Sequence, residues 1–128
     1  MSNLKKVLYV DDEVMNLFLF ENLLANNFDI ETTKSPEKGL EIVKENPGFD
    51  VVISDMKMPG MNGLEFIKQA KEFYNKCPYL ILSGYHKIPE IEDALEEGLI
   101  CNFLQKPFEV EEISATIHRE IEAFQELE

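Results

Sequence analysis

Apolar residues fall into short runs split by polar, turn-forming segments, and the runs alternate between two periods. Lys5 to Val10, Asp29 to Thr33, Asp50 to Ser54, Tyr79 to Ser83 and Cys101 to Leu104 read as strands. Val51, Val52 and Ile53 are consecutive and β-branched, which suits a strand buried on both faces of a parallel sheet. Between these runs the apolar positions keep helical spacing. Glu13 to Asn26 predicts a first helix with an apolar stripe of Leu19, Phe20, Leu23 and Leu24. A second helix follows Ser35-Pro36, an N-cap with proline at the first helical position; it carries Leu40, Ile42 and Val43 and closes at Pro47-Gly48. The third runs from about Gly63 to Tyr74, with Leu64, Ile67, Ala70 and Lys71 along one side. The fourth spans Pro89 to Glu97, with Gly98 placed as a left-handed cap. The fifth starts at Glu109. Its apolar positions Val110, Ile113, Ile117, Ile121 and Phe124 continue nearly to the C-terminus, so the later ones are candidates to reach toward a dimer coiled coil or a second domain.

Strands alternating with helices in this way predict an α/β domain of three layers, a doubly wound five-stranded parallel sheet in the flavodoxin-like order 2-1-3-4-5. Ligands bind such sheets at the carboxyl ends of the strands where the order reverses, between strands one and three. That rule sets Asp11 and Asp12, just past strand one, beside Asp55, just past strand three. Ser83 ends strand four and Lys106 follows strand five, so the polar residues that interrupt apolar strand ends share one edge. Met58-Pro59-Gly60-Met61-Asn62-Gly63, after Asp55, is a loop of turn formers.

Length and composition narrow the partners. With 128 residues, 45% of them apolar, the chain suits one globular domain. No apolar run approaches the roughly 20 residues of a membrane span, and no signal peptide precedes Leu4-Lys5-Lys6-Val7, so the expected location is cytoplasmic. Cys77 and Cys101 lack metal-site spacing and are expected to be reduced and mostly buried. A formal charge of −13 argues against direct binding of nucleic acid, whose phosphates need Lys and Arg, and favours cations or basic protein surfaces.

Asp11, Asp12 and Asp55 held together repel unless a cation or a proton compensates, and Lys106 supplies a single positive charge. A hard divalent ion, Mg²⁺ or Mn²⁺, suits such a set of oxygens; no His or Cys stands at zinc-ligand spacing nearby. A carboxylate beside Mg²⁺, with an ammonium and a hydroxyl at hand, suits phosphoryl transfer. Asp55 is then the nucleophile that forms an aspartyl phosphate, stabilised by the metal, Lys106 and the Ser83 hydroxyl.

These pieces together resemble the receiver domain of two-component response regulators, from Lys5 to about Phe124. They are the pair Asp11-Asp12, Asp55 in D-M-K-M-P-G-M-N-G, the hydroxyl of L-S-G-Y, and K-P-F at Lys106-Pro107-Phe108. The resemblance implies one receiver domain over residues 1–128, standing alone or cut from a larger hybrid or multidomain protein. It implies that Asp12, Asp55 and the backbone carbonyl of Lys57 ligate Mg²⁺, with Asp11 helping through water. A histidine kinase or histidine phosphotransfer protein would donate the phosphoryl group, and Lys106 would pair with its oxygens. Ser83 would move toward them, and Phe103 on strand five would turn inward. The face of helix four, strand five and helix five, where downstream partners bind, would rearrange in response. The Lys106-Pro107 bond is expected to be cis. The domain would be a phosphoacceptor with self-phosphorylation and autodephosphorylation chemistry, not a turnover enzyme, and a monomer or a weak phosphorylation-linked dimer.

This chain also departs from the family pattern. Phe103 lacks the hydroxyl of a tyrosine, Gly84 stands where alanine is commoner, and the segment from Gly98 to Lys106 is one residue longer than usual. Lys57 and Tyr85, two residues beyond Asp55 and Ser83, are candidates for tuning the lifetime of the phosphorylated state. Leu17 and Phe18 are candidates for docking a kinase's helices. The acids Glu90, Glu92, Asp93, Glu96, Glu97, Glu109, Glu111 and Glu112 form either a solvated face or a surface for a basic output partner. Two other functions remain open. One is a phosphorylation-independent adaptor on the same fold. The other is a small aspartate-nucleophile phosphohydrolase of the haloacid dehalogenase type, which expects D-x-D on strand one where this chain has Asp11-Asp12-Glu13.

Overall fold

The computed structural model describes residues 3–84, 88–107 and 109–127. Strands β1 (Lys5–Val10), β2 (Phe28–Thr33), β3 (Val51–Ser54), β4 (Tyr79–Ser83) and β5 (Asn102–Gln105) alternate with helices α1 (Val14–Leu24), α2 (Pro36–Glu45), α3 (Gly63–Phe73), α4 (Pro89–Glu97) and α5 (Val110–Glu126). The strands pair in parallel in the order β2-β1-β3-β4-β5, as the alternation predicts.

The sheet divides the interior into two cores. Leu8, Val10, Val52, Tyr79 and Ile81 pack on one side against Ile42 and Val43 of α2, Phe66, Ile67 and Ala70 of α3, and Ile91 and Ala94 of α4. Val7, Tyr9, Val51, Ile53, Leu80 and Leu82 face Phe20 and Leu24 of α1 and Ile113, Ile117 and Ile121 of α5. Successive strand residues point to opposite faces, so β1, β3 and β4 feed both cores at once. Every residue of β3 and β4 is buried.

Capping residues account for the starts of α2 and α3 and the end of α4. The Ser35 hydroxyl accepts the Lys38 N–H at 3.1 Å, with Pro36 in the first turn of α2. Asn62 and Glu65 form a reciprocal capping box at the start of α3, both bonds 2.8 Å. Gly98 closes α4 at φ 79°, a left-handed conformation. The Lys71 ammonium donates to the carbonyl oxygens of Gly98 and Leu99, each at 3.1 Å, joining α3 to the end of α4.

Four expectations change. In α1, Phe20 and Leu24 are buried, but Leu19 and Leu23 are 39% and 43% exposed. The helix is apolar nearly all round, so its spacing does not single out the buried face. Of the later α5 positions, Ile121 packs inside the second core, whereas Phe124 is half-buried. β5 begins one residue later than predicted. Cys77 is buried, with burial pushing its thiol up to about 12, whereas Cys101 is exposed.

Candidate functional site

The ladder between β1 and β3 delivers the acids. Tyr9 pairs with Ile53 and Val10 with Ser54, and beyond them the Asp55 N–H donates to the Val10 carbonyl at 2.8 Å. Asp11 and Asp55 therefore leave adjacent strands at the same level. Each follows by two residues a side chain of the α1–α5 core, Tyr9 and Ile53 respectively. Asp11 is fully buried, Asp55 is 7% exposed and Asp12 is half-buried. Asp11, Asp12 and Asp55 each present a carboxylate oxygen, and these atoms all lie within 4.8 Å of one another.

Lys106 closes the group from β5. Its backbone N–H donates to the Ser83 carbonyl at 2.8 Å, which fixes the turn after β5 to the end of β4. Its ammonium lies 2.8 Å from Asp11 Oδ2 and 3.4 Å from Asp55 Oδ1. The Lys106-Pro107 peptide bond is cis, as expected. Ser83 is fully buried at the same edge. A pocket of about 350 Å³ opens here, lined by Glu13, Asn16, Asp55, Lys57, Gly84 and Lys106.

One cation does not balance these acids. Burial, and then Asp11, push the Asp55 carboxyl from its ordinary 3.8 up to about 6, against the opposing pull of Lys106 and the Met56 N–H. The donor set is hard oxygen, and among the described residues no Cys or His joins it. Such a set fits Mg²⁺ or Mn²⁺ and not zinc.

The remaining candidates scatter around this centre. Lys57 is exposed and lines the pocket. Phe103 is half-buried against the α2–α4 core. A Cβ at Gly84 would meet open space, so the chain's departure there leaves room for alanine. Tyr85 and Phe108 lie outside the described residues. Leu17 packs against the α1–α5 core, whereas Phe18 is 61% exposed, with Val14 and Met15 also exposed. Leu19, Leu23, Asn16, Lys106 and Pro107 line a second cavity, about 440 Å³, beside the first. All eight acids named on α4 and at the start of α5 are exposed.

Two structural residues escaped the sequence reading. Tyr9 donates its hydroxyl hydrogen to Asp11 Oδ2 at 2.6 Å; a hydroxyl following Val7 and Leu8, two residues before an acid, was the available signal. Gly63 is needed because a Cβ there would collide with the backbone oxygen of Asp55 and come within 2.9 Å of Ile81 Cδ1. Glycine thus lets α3 start directly against the acid-bearing turn.

A doubly wound sheet with buried acids, a buried serine and a lysine at one strand edge has the construction of a receiver-type signalling domain. Residues 7–118 match the family model of the response regulator receiver domain, and the chain belongs to that family. It is 31% identical over 117 residues to sporulation initiation phosphotransferase F of Bacillus subtilis, covering 90% of this chain and 92% of that protein. It is 32% identical over 119 residues to the DNA-binding transcriptional regulator NtrC of Escherichia coli K12, covering 91% of this chain and 25% of the regulator. The chain spans about a quarter of the length of several curated relatives it matches. Among solved structures, a response regulator receiver domain protein from Clostridium thermocellum superposes with a TM-score of 0.88 at 31% identity, over 98% of this chain and all of that one. Chemotaxis protein CheY4 of Vibrio cholerae gives 0.82 at 30% identity, over 91% and 98%. Receiver domains are signalling domains and not classical turnover enzymes. Among the described residues no helix is long and apolar enough to cross a membrane.

Proposed function

We propose that this chain is a single receiver domain that accepts a phosphoryl group on Asp55 from a phosphohistidine of a kinase or phosphotransfer protein. The observation that carries the reading is the cluster of Asp11, Asp12 and Asp55 with Lys106 closed over it at one strand edge. An Asp55 carboxylate oxygen attacks phosphorus, the P–N bond breaks, and the imidazole leaves with its electron pair and takes up a proton. Asp12, Asp55 and the Lys57 carbonyl would hold Mg²⁺, with Asp11 beside them. The bound ion would supply charge neutralisation for the acids and the phosphoryl oxygens. Lys106 would transfer its contact from Asp55 to a phosphoryl oxygen, and Ser83 would donate to another.

Partners follow from the surface. The exposed apolar side of α1, with Phe18 at its centre, suits the helices of the phosphoryl donor. The acidic α4–β5–α5 face suits a basic output partner, with binding that weakens as salt rises. Phe103 would turn inward when Ser83 moves. We take the domain to be cytoplasmic, a monomer or a weak dimer strengthened by phosphorylation; sedimentation with and without a phosphoryl analogue checks the latter.

Incubation with acetyl phosphate and Mg²⁺ followed by intact mass measurement tests the reading. One added phosphoryl group is expected on the wild type and none on Asp55→Asn. An unmodified wild type would instead support the adaptor, and sustained turnover of phosphate esters the hydrolase. The Lys57 side chain, at the pocket mouth, is expected to set the lifetime of the product: Lys57→Ala should change the dephosphorylation rate severalfold, and an unchanged rate removes that role.

A further inference from the structure

Tyr9 places a hydroxyl among the buried aliphatic residues Val7, Leu8 and Val10 of β1, and that hydroxyl has a specific destination. The side chain is fully buried, its ring stacks on Phe20 of α1 with centroids 4.3 Å apart, and its O–H donates to Asp11 Oδ2 at 2.6 Å. The same Oδ2 takes the Lys106 ammonium at 2.8 Å, and Oδ1 takes the Glu13 N–H at 3.0 Å. Both oxygens of the buried carboxylate are therefore held. Lys106 divides its charge between Asp11 and Asp55, so it does not serve Asp11 alone. Tyr9 approaches from the core, where its ring is fixed by packing. Phenylalanine would fill that space equally well, so packing explains the ring and leaves the hydroxyl to be explained.

We propose that Tyr9 is a positioning residue: its O–H sets the orientation of the Asp11 carboxylate in the cation site, and its ring on Phe20 ties that orientation to α1. This rests on reading the acidic cluster as a cation site. Hydrogen bonds to groups around a metal commonly govern affinity by 10- to 100-fold. The link also gives α1, whose outer side is apolar and exposed, a packed route to the site: Phe20, then Tyr9, then Asp11.

The test is Mg²⁺ affinity by titration calorimetry on wild type, Tyr9→Phe, Asp11→Ala and the double variant, with thermal unfolding in EDTA as the check on folding. Tyr9→Phe keeps the stacked ring and is expected to weaken Mg²⁺ binding roughly tenfold. In the Asp11→Ala background the same change is expected to cost nothing further, because the group through which it acts is gone. Binding by Tyr9→Phe within about twofold of wild type overturns the proposal, as does an equal loss with Asp11 absent. A wild type that binds no Mg²⁺ overturns the cation reading itself, a distinct result. Phe20→Leu, which keeps the tyrosine hydroxyl, is expected to weaken binding by a smaller factor; no change there removes the link to α1.

Discussion

Asp55→Asn should make the metal-free protein more stable at neutral pH. The substitution preserves shape and an acceptor for the Met56 N–H, and removes a charge that is 7% exposed. Lys106 retains Asp11 at 2.8 Å. The magnitude follows from the carboxyl's displacement from 3.8 to about 6. Each pKa unit corresponds to about 1.4 kcal/mol, so ionised Asp55 costs up to about 3 kcal/mol at pH 7.5. Because the folded value is raised, the folded state binds more protons between the two values. Wild-type stability relative to the variant therefore falls as pH rises through about 4 to 6 and levels off above. The variant's advantage should roughly halve on going from pH 7.5 to pH 5. Urea unfolding in EDTA at the two pH values measures it. Saturating Mg²⁺ should stabilise the wild type more than the variant, narrowing the gap. A variant that is less stable than wild type at pH 7.5 in EDTA, or an advantage that grows toward pH 5, would refute the reasoning.

Two further outcomes are expected. Gly63→Ala forces a methyl group onto the Asp55 backbone oxygen; it should cost about 3 kcal/mol or more in urea unfolding and slow acetyl phosphate labelling, and a stability within about 0.5 kcal/mol of wild type would show that α3 has room to shift. Phe18→Glu, at a 61% exposed position, should leave stability unchanged and acetyl phosphate labelling intact while impairing transfer from the cognate kinase at least tenfold; full transfer counts against α1 as the docking surface. Leu17→Glu does not test docking, because Leu17 packs against the core and the variant would be destabilised whatever docks.

The acids were legible because the strands that carry them are so apolar. A polar residue at the end of Val51-Val52-Ile53 or of Tyr79 to Ser83 stands out, and the order-reversal rule then brings Asp11, Asp12 and Asp55 together from sequence alone. The helix boundaries followed from Ser35-Pro36 and Gly98 for the same reason: capping chemistry is local. What escaped was decided by neighbours distant in sequence. α1 offers apolar residues on every side, and its inward face was chosen by β1 and α5, leaving Leu19 and Leu23 in solvent. The reach of the Tyr9 hydroxyl depends on how a ring packs on Phe20, which strand alternation does not encode. The collision that reserves position 63 for glycine depends on the path of the backbone at Asp55.

The bridge from Lys71 to the carbonyl groups of Gly98 and Leu99, just past α4, sits at the opposite end of the sheet from the acids. It ties the α4–β5 turn to α3, while at the acid edge the Lys106 backbone holds the Ser83 carbonyl and its ammonium is shared between Asp11 and Asp55. Were the Lys106 ammonium drawn from Asp55 to a phosphoryl oxygen, as proposed above, the α4–β5 turn would stay anchored through Lys71, and any adjustment would fall at the edge that carries Ser83 and Lys106.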